Sequence, residues 1–205
     1  MIRPRASARR LQGSVARLVG SRVFWVLFVG TLFALPLGRS LARTLPPAPP
    51  VLGMTEPFEL LDQYGHSVTT PQLRGKVWVL AFTSAADHTG VSIEDQRTVV
   101  YRVRNLGTAF RMITITTTPD EDTEALRKST VEKHASSSQL WAFLGGSDAQ
   151  VQKATTALVS TVGGGAASGQ LFLVDPQGRI RGVYATDKPS LDHLMQDISY
   201  VANIP

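Results

Sequence analysis

The sequence of 205 residues contains no cysteine. Without thiols the chain cannot form disulfides, thiolate metal sites or a cysteine nucleophile, whatever its fold. This excludes every reaction that needs a pair of thiols to exchange electrons. The absence does not identify a compartment, so localisation has to be inferred from the N-terminus.

Acidic residues are missing from the first 43 positions, which hold eight of the 21 basic residues. The other 13 basic and all 16 acidic residues give the rest of the chain a net charge of −3, although the whole chain carries +5. The basic character therefore belongs to a tail, and the remainder has no basic stripe interleaved with aromatic residues. We expect no nucleic-acid partner.

Charge is also missing from Val23–Gly38, an apolar run that six arginines precede and that Arg39 and Arg43 follow. A membrane-spanning helix needs about 20 residues, so this run is at the short end. The positive-inside rule predicts a cytoplasmic N-terminus and a domain on the outer, periplasmic side of the cytoplasmic membrane. Two interpretations stay open: a retained single-pass anchor, or a signal peptide cleaved near Ser40-Leu41-Ala42.

The chain is predicted to have four parts, and the third contains a stiff polyproline-like spacer. They are a basic cytoplasmic tail (1–22), a transmembrane anchor or signal segment (23–39), a Pro-rich linker (40–56) and one folded domain (57–205). From Phe58 onward apolar strands and amphipathic helices alternate, which predicts an α/β fold.

The predicted elements follow the order β-hairpin, βαβα, β-hairpin, α. The strands are a hairpin around Gln63-Tyr64-Gly65, central strands at 76–82 and 111–116, a short strand at 140–144 and a hairpin over 171–184. The helices cover 93–106 with Gly107 as C-cap, 123–133, 148–160 and 191–201, with a flexible loop at 163–169. This order is typical of a thioredoxin-like fold with a central mixed sheet flanked by helices.

Several short motifs appear together in one order: Phe58–Gly65, Leu73–Val77, Phe82-Thr83, Thr118–Thr123, Trp141–Gly145 and Leu173–Gly178. This set resembles the Sco/SenC copper chaperones for cytochrome c oxidase assembly, over about Phe58 to Ala202. The Thr-Pro-x-x-Asp-Thr and Trp-x-Phe-Leu pieces favour that family over general thioredoxin-like domains. The resemblance implies a thioredoxin-like fold behind one N-terminal transmembrane helix.

The resemblance also implies a copper site made of a Cys-x-x-x-Cys loop and a distant His. Soft thiolates and an imidazole suit Cu(I). Here Ala85 and Thr89 stand where the two cysteines are expected, and Ala167 stands where the His is expected. With all three ligands replaced, the chain is interpreted as a degenerate member with no catalytic residue, no cofactor and no family copper site.

The remaining candidate ligands are weighed individually. His88, beside Asp87 in the altered loop, is a weak metal candidate because a site needs further converging ligands. The residues interpreted as ordinary surface, core or helix-start positions are His66, His134, His193, Met54, Met112, Asp120, Glu121, Asp122 and Glu124. Ser84 and Thr89 lack a visible base for nucleophilic chemistry, and Gly163–Gly169 lacks the Lys-Ser/Thr of a phosphate loop.

The predicted function is a membrane-tethered, non-catalytic binding or assembly factor related to cytochrome c oxidase and copper-site biogenesis. Its predicted partners are the membrane and a protein such as an oxidase subunit or assembly factor. Two alternatives remain: residual metal binding at a relocated site on His88, and a cysteine-free enzyme on a thioredoxin-like scaffold.

Overall fold

The computed structural model describes residues 20–41, 47–84, 90–117, 139–162 and 169–203. The chain divides into two compact units, Met1–Pro47 and Ala48–Pro205. The predicted helix at 123–133 and most of the predicted loop at 163–169 lie outside the described residues.

The described part of the first unit contains a helix, α1 (Arg22–Leu41), with Pro36 inside it. Most of its described apolar side chains are exposed; Val26, for example, is 73% exposed. The stretch Arg22–Ser40 has a mean hydropathy of 1.6, and by length and composition it can cross a membrane. A signal sequence near the N-terminus has the same properties, so the helix agrees with both interpretations of this segment.

The described part of the second unit is a mixed α/β structure. Its strands are β1 (Gly53–Met54), β2 (Glu59–Leu61), β3 (Ser67–Thr69), β4 (Val77–Thr83), β5 (Phe110–Thr116), β6 (Trp141–Leu144), β7 (Leu171–Val174) and β8 (Arg179–Tyr184). Its helices are α2 (Thr70–Leu73), α3 (Ile93–Val103), α4 (Asp148–Val162) and α5 (Lys188–Val201), with a 3₁₀ stretch at Arg104–Ala109.

Six of the strands form one sheet in the order β1-β8-β7-β4-β5-β6, and β2 and β3 form a separate hairpin. β4 pairs in parallel with β5 and antiparallel with β7. As the apolar run predicts, β4 is central, and Val77–Phe82 are no more than 1% exposed. Both predicted hairpins and both predicted central strands are present.

Alternate residues of the sheet build two cores. Trp78, Leu80 and Phe82 pack on one face with the β2–β3 hairpin and α4. Val79 and Ala81 pack on the other face with α3 and α5. Because side chains alternate along a strand, each face of the sheet presents its own set of apolar residues. Helices pack on both faces, so the second unit has a helix–sheet–helix arrangement.

Two boundaries differ from the sequence prediction. Helix α3 ends at Val103, and the chain continues as a 3₁₀ stretch that Gly107 breaks with a φ of 53°, so Gly107 is not the cap of α3. Gly53–Met54, inside the predicted linker 40–56, form a strand that pairs with β8. The folded unit therefore includes part of that predicted linker.

Candidate functional site

One edge of the sheet gathers the chain ends that flank segments 85–89 and 163–168, in which the predicted ligand positions Ala85, Thr89 and Ala167 lie. Because β4 and β5 are parallel and β7 is antiparallel to β4, the end of β4, the end of β5 and the start of β7 meet there. We call this the loop edge and define it by Thr83, Ser84, Gly90, Thr117 and Gln170. Residues 85–89 and 163–168 lie outside the described residues, so Ala85, His88, Thr89 and Ala167 are not placed.

The segment 85–89 is closed at its base by backbone pairing. Thr83 and Gly90 form an antiparallel bridge, and the Val91 amide donates to the Phe82 carbonyl oxygen at 3.0 Å. Gly90 has a φ of +97°, and a Cβ there would overlap the Phe82 carbonyl oxygen and lie 2.9 Å from the Thr83 Cα. Only glycine therefore fits this stem.

A network of buried hydrogen bonds holds Val91, which follows the same segment in the chain. The Gln96 Nε2 donates to the Val91 carbonyl at 2.9 Å, and the Gln96 Oε1 accepts from the Thr114 hydroxyl. The Trp141 Nε1 in turn donates to the Thr114 Oγ1 at 2.8 Å. All three side chains are fully buried, so helix α3 and strands β5 and β6 together fix Val91.

Sequence reasoning did not assign a role to Gln96, although the signal for it is present. Gln96 shares its helix face with Val99, Val100 and Val103, all buried. A single amide at an apolar position of a helix face has to find buried partners, because leaving it unpaired is costly. The pattern could therefore have indicated a structural hydrogen bond.

The described side chains of the loop edge are neutral, and the polar groups that they could offer to a metal are hydroxyls and an amide. The Thr117 amide and Oγ1 both donate to the Thr83 carbonyl, at 2.9 and 3.2 Å. Ser84 is 5% exposed, and its hydroxyl has no hydrogen-bond partner in the described part of the chain. Neutral hydroxyl and amide groups are poor ligands for a soft cation.

The family model for SCO1/SenC matches residues 49–203, which is most of the second unit. The chain belongs to the SCO1/SenC family. A comparison of the sequence with curated proteins finds no match.

Solved structures agree with this assignment at the level of the fold. BsSco, a member of the Sco family of cytochrome c oxidase assembly proteins, has a TM-score of 0.65 at 19% identity, covering 78% of this chain and 99% of its own. A SCO1/SenC lipoprotein from Bacillus anthracis has 0.64 at 19%, covering 75% and 98%. Bradyrhizobium japonicum ScoI with copper bound has 0.55 at 19%, covering 72% and 99%. The predicted thioredoxin-like fold is thus confirmed.

The residues of this SCO1/SenC chain do not fit a family copper ion. The whole sequence lacks cysteine, so no part of the chain supplies a thiolate. In the described ranges no group of three or more His, Cys, Asp or Glu side chains is close enough to hold a metal. The loop edge can offer shape, backbone and hydroxyl groups to a partner, but no soft donor set.

The other candidate residues that the structure describes do not converge at the loop edge. Met112 is fully buried in the core, as predicted. The His66 side chain is 78% exposed, with its Nδ1 3.6 Å from Asp62 Oδ2, and His193 is exposed on α5. Met54, predicted to lie in the linker, is in β1 and 58% exposed. Outside the described residues lie Asp87, His134 and the acidic positions Asp120, Glu121, Asp122 and Glu124.

Proposed function

We propose that this SCO1/SenC protein is a non-catalytic binding factor in the assembly of cytochrome c oxidase or a related copper site, and that it carries no copper itself. The observation that carries the proposal is a family match over residues 49–203 in a chain without cysteine. A partner would be recognised by the surface of the thioredoxin-like domain, including the loop between Thr83 and Gly90. Candidate partners are an oxidase subunit or another assembly factor.

The loop stem is the structural support for a binding role. Gly90, the Thr83–Gly90 bridge and the Gln96 hydrogen bond to Val91 hold the base of the loop in one geometry. A fixed loop base lowers the entropy cost of binding a partner, whether or not the loop holds a metal. The supporting network therefore has a use after the ligands are replaced.

We also propose that α1 is retained as a single-pass anchor with the N-terminus in the cytoplasm. The arginines before Val23 and the apolar helix support this orientation. The second unit would then lie on the outer side of the cytoplasmic membrane, where it could meet membrane-bound oxidase subunits.

The direct test is a titration of the full chain with Cu(I) under anaerobic conditions, in detergent, against a chromophoric chelator. We expect the chelator to keep its copper, because the chain has no thiolate. Tight one-to-one transfer of copper to the protein would contradict the proposal.

The same titration tests the alternative of a relocated site on His88. If weak binding appears and His88→Ala removes it, the relocated site is correct. His66→Ala is the matched control, since His66 is exposed and far along the chain from the loop. Binding that neither substitution changes would exclude His88 as the ligand.

The assembly role is tested by affinity purification of the tagged full chain from solubilised membranes. We expect an oxidase subunit or assembly factor to be recovered with the wild-type chain, and less of it when loop residues 85–89 are replaced by Gly-Ser sequence. Equal recovery with the replaced loop would contradict the role of the loop surface.

A further inference from the structure

The chain after α1 is attached to the sheet before residue 57, where the linker prediction places the start of the folded domain. The Arg181 Nη1 donates to the carbonyl of the buried Pro49 at 2.9 Å. The Leu52 amide donates to the Ile180 carbonyl at 2.8 Å, and the Thr55 amide and hydroxyl both donate to the Gly178 carbonyl at 2.9 Å. The chain is thus attached to β8 from Pro49 onward.

The attachment of Pro49 depends on a buried ion pair. The Arg181 Nε donates to Asp175 Oδ2 at 2.7 Å, and the two side chains are 8% and 1% exposed. A paired guanidinium in this position keeps its remaining N–H groups available for a neutral acceptor such as the Pro49 carbonyl. Only residues 42–48 remain between the end of α1 and Pro49.

Three apolar side chains next to this attachment are exposed. Val51 is 52% exposed, Leu52 42% and Met54 58%, and we call them the edge patch. They are half of the large hydrophobic or aromatic side chains that are exposed in the described part of the second unit; the others are Leu61, Tyr64 and Tyr101. No charged residue occurs from Thr44 to Thr55. Exposed apolar side chains gathered along a short uncharged segment of this kind indicate an interaction surface.

We infer that the edge patch rests on the lipid surface of the membrane that holds α1. This inference rests on the proposed anchoring of α1. Seven residues reach at most about 25 Å when fully extended, so the patch cannot move far from the bilayer. The polar layer on each side of the hydrocarbon core is about 5–7 Å thick, well within that reach. A short tether gives an effective concentration in the millimolar range, so a weak apolar contact is well populated.

The absence of native cysteine allows a direct experiment. Single variants Leu52→Cys, Tyr101→Cys and Leu32→Cys of the full chain are labelled with an environment-sensitive fluorophore and reconstituted into phosphatidylcholine–phosphatidylglycerol vesicles. Tyr101, on α3, is the matched control because it is 61% exposed but lies outside the edge patch. Leu32, in α1, reports on the anchor. We expect iodide quenching at Leu52 to be several-fold weaker than at Tyr101, with emission shifted to shorter wavelength.

Each other outcome has a defined meaning. If Leu52 is quenched as strongly as Tyr101 while Leu32 is protected, the lipid contact is wrong and the anchor stands. If Leu32 is quenched as well, the anchor is wrong and the inference fails with it. If protection of Leu52 disappears when the protein is diluted in lipid, the patch binds a second copy of the chain and not lipid, which overturns the inference. Val51→Ser and Met54→Ser in the Leu52 variant should restore quenching.

Discussion

The two edges of the central sheet are built from different chemistry. At the opposite ends of the strands lies the turn edge, which we define by Asp175, Gln177, Arg179 and Arg181. The Asp175 Oδ1 accepts from the backbone amides of Gln177 and Arg179. The Asp175 Oδ2 accepts from the guanidinium groups of Arg179 and Arg181. The loop edge has neutral described side chains and a buried Ser84 hydroxyl without a partner among them. The comparison indicates that charged hydrogen bonds stabilise the turn edge, whereas the described part of the loop edge has no charged side chain.

The largest effect is expected when metal-binding side chains are introduced at the loop edge. The triple variant Ala85→Cys, Thr89→Cys and Ala167→His supplies two thiolates and an imidazole at the positions that the family resemblance identifies. If the scaffold is intact, the full chain should change from no transfer of Cu(I) to tight one-to-one binding, a gain of several orders of magnitude. Anaerobic chelator competition measures it.

A register-shifted variant controls for the mere presence of thiols. Ser84→Cys, His88→Cys and Ala167→His has the same donors and the same spacing, displaced by one residue. It should bind much less tightly, because neighbouring side chains of an extended chain point to opposite sides. Equal affinity of the two variants, or no binding by the first, would show that the three positions do not face one site.

The next largest effect is expected at the turn edge. Asp175→Asn leaves the buried Arg181 charge without its partner, which should lower the free energy of unfolding by about 3 kcal/mol. Urea unfolding followed by the fluorescence of the buried Trp78 and Trp141 measures the change. Asp192→Asn is the control: its ion pair with Arg102 is about 40% exposed, so it should cost less than about 1 kcal/mol.

The pH dependence of stability should follow the same carboxylate. Burial acts to raise the pKa of Asp175, but the Arg179 amide and both guanidinium groups outweigh it and hold the pKa below its ordinary value of 3.8. Because the pKa is lowered on folding, the stabilisation is complete above that value and is lost as the pH falls below it. Asp175→Asn should lack this acid-dependent component, and an unchanged pH profile would contradict the assignment.

The sequence predicted the interior of the second unit better than its connections. The run at 76–82 identifies β4 because a strand covered on both faces has to be continuously apolar, and the Asp175–Gly178 turn identifies the late hairpin. The attachment of Pro49 to Arg181 was not predictable, since it joins residues 132 positions apart and leaves no periodicity. The two-residue strand Gly53–Met54 is likewise too short for an alternating pattern.

The candidate site was only partly accessible from the sequence. Family resemblance predicts that Ala85, Thr89 and Ala167 stand at the ligand positions, and this stays a prediction because all three lie outside the described residues. Composition alone excludes thiolate chemistry. The support beneath the loop depends on tertiary contacts that single-residue patterns do not encode. Gln96, Thr114 and Trp141 belong to three different elements that meet only when the sheet is assembled.

The smallest predicted effect tests whether Gly90 constrains the stem of the loop at the loop edge. Gly90→Ala combines an unfavourable φ of +97° with overlap of the new Cβ and the Phe82 carbonyl, so it should lower the free energy of unfolding by about 2 kcal/mol. Gly75→Ala is the control, because its φ of +79° is also positive but nothing lies within 4 Å of a Cβ there; it should cost about 1 kcal/mol. Urea unfolding compares the two variants, and hydrogen exchange at Val91 should increase only for Gly90→Ala, since only this change disturbs the amide bonded to Phe82. Equal costs and unchanged exchange would mean that the stem is not a constrained closure, and the rigid loop base would then no longer support a binding role.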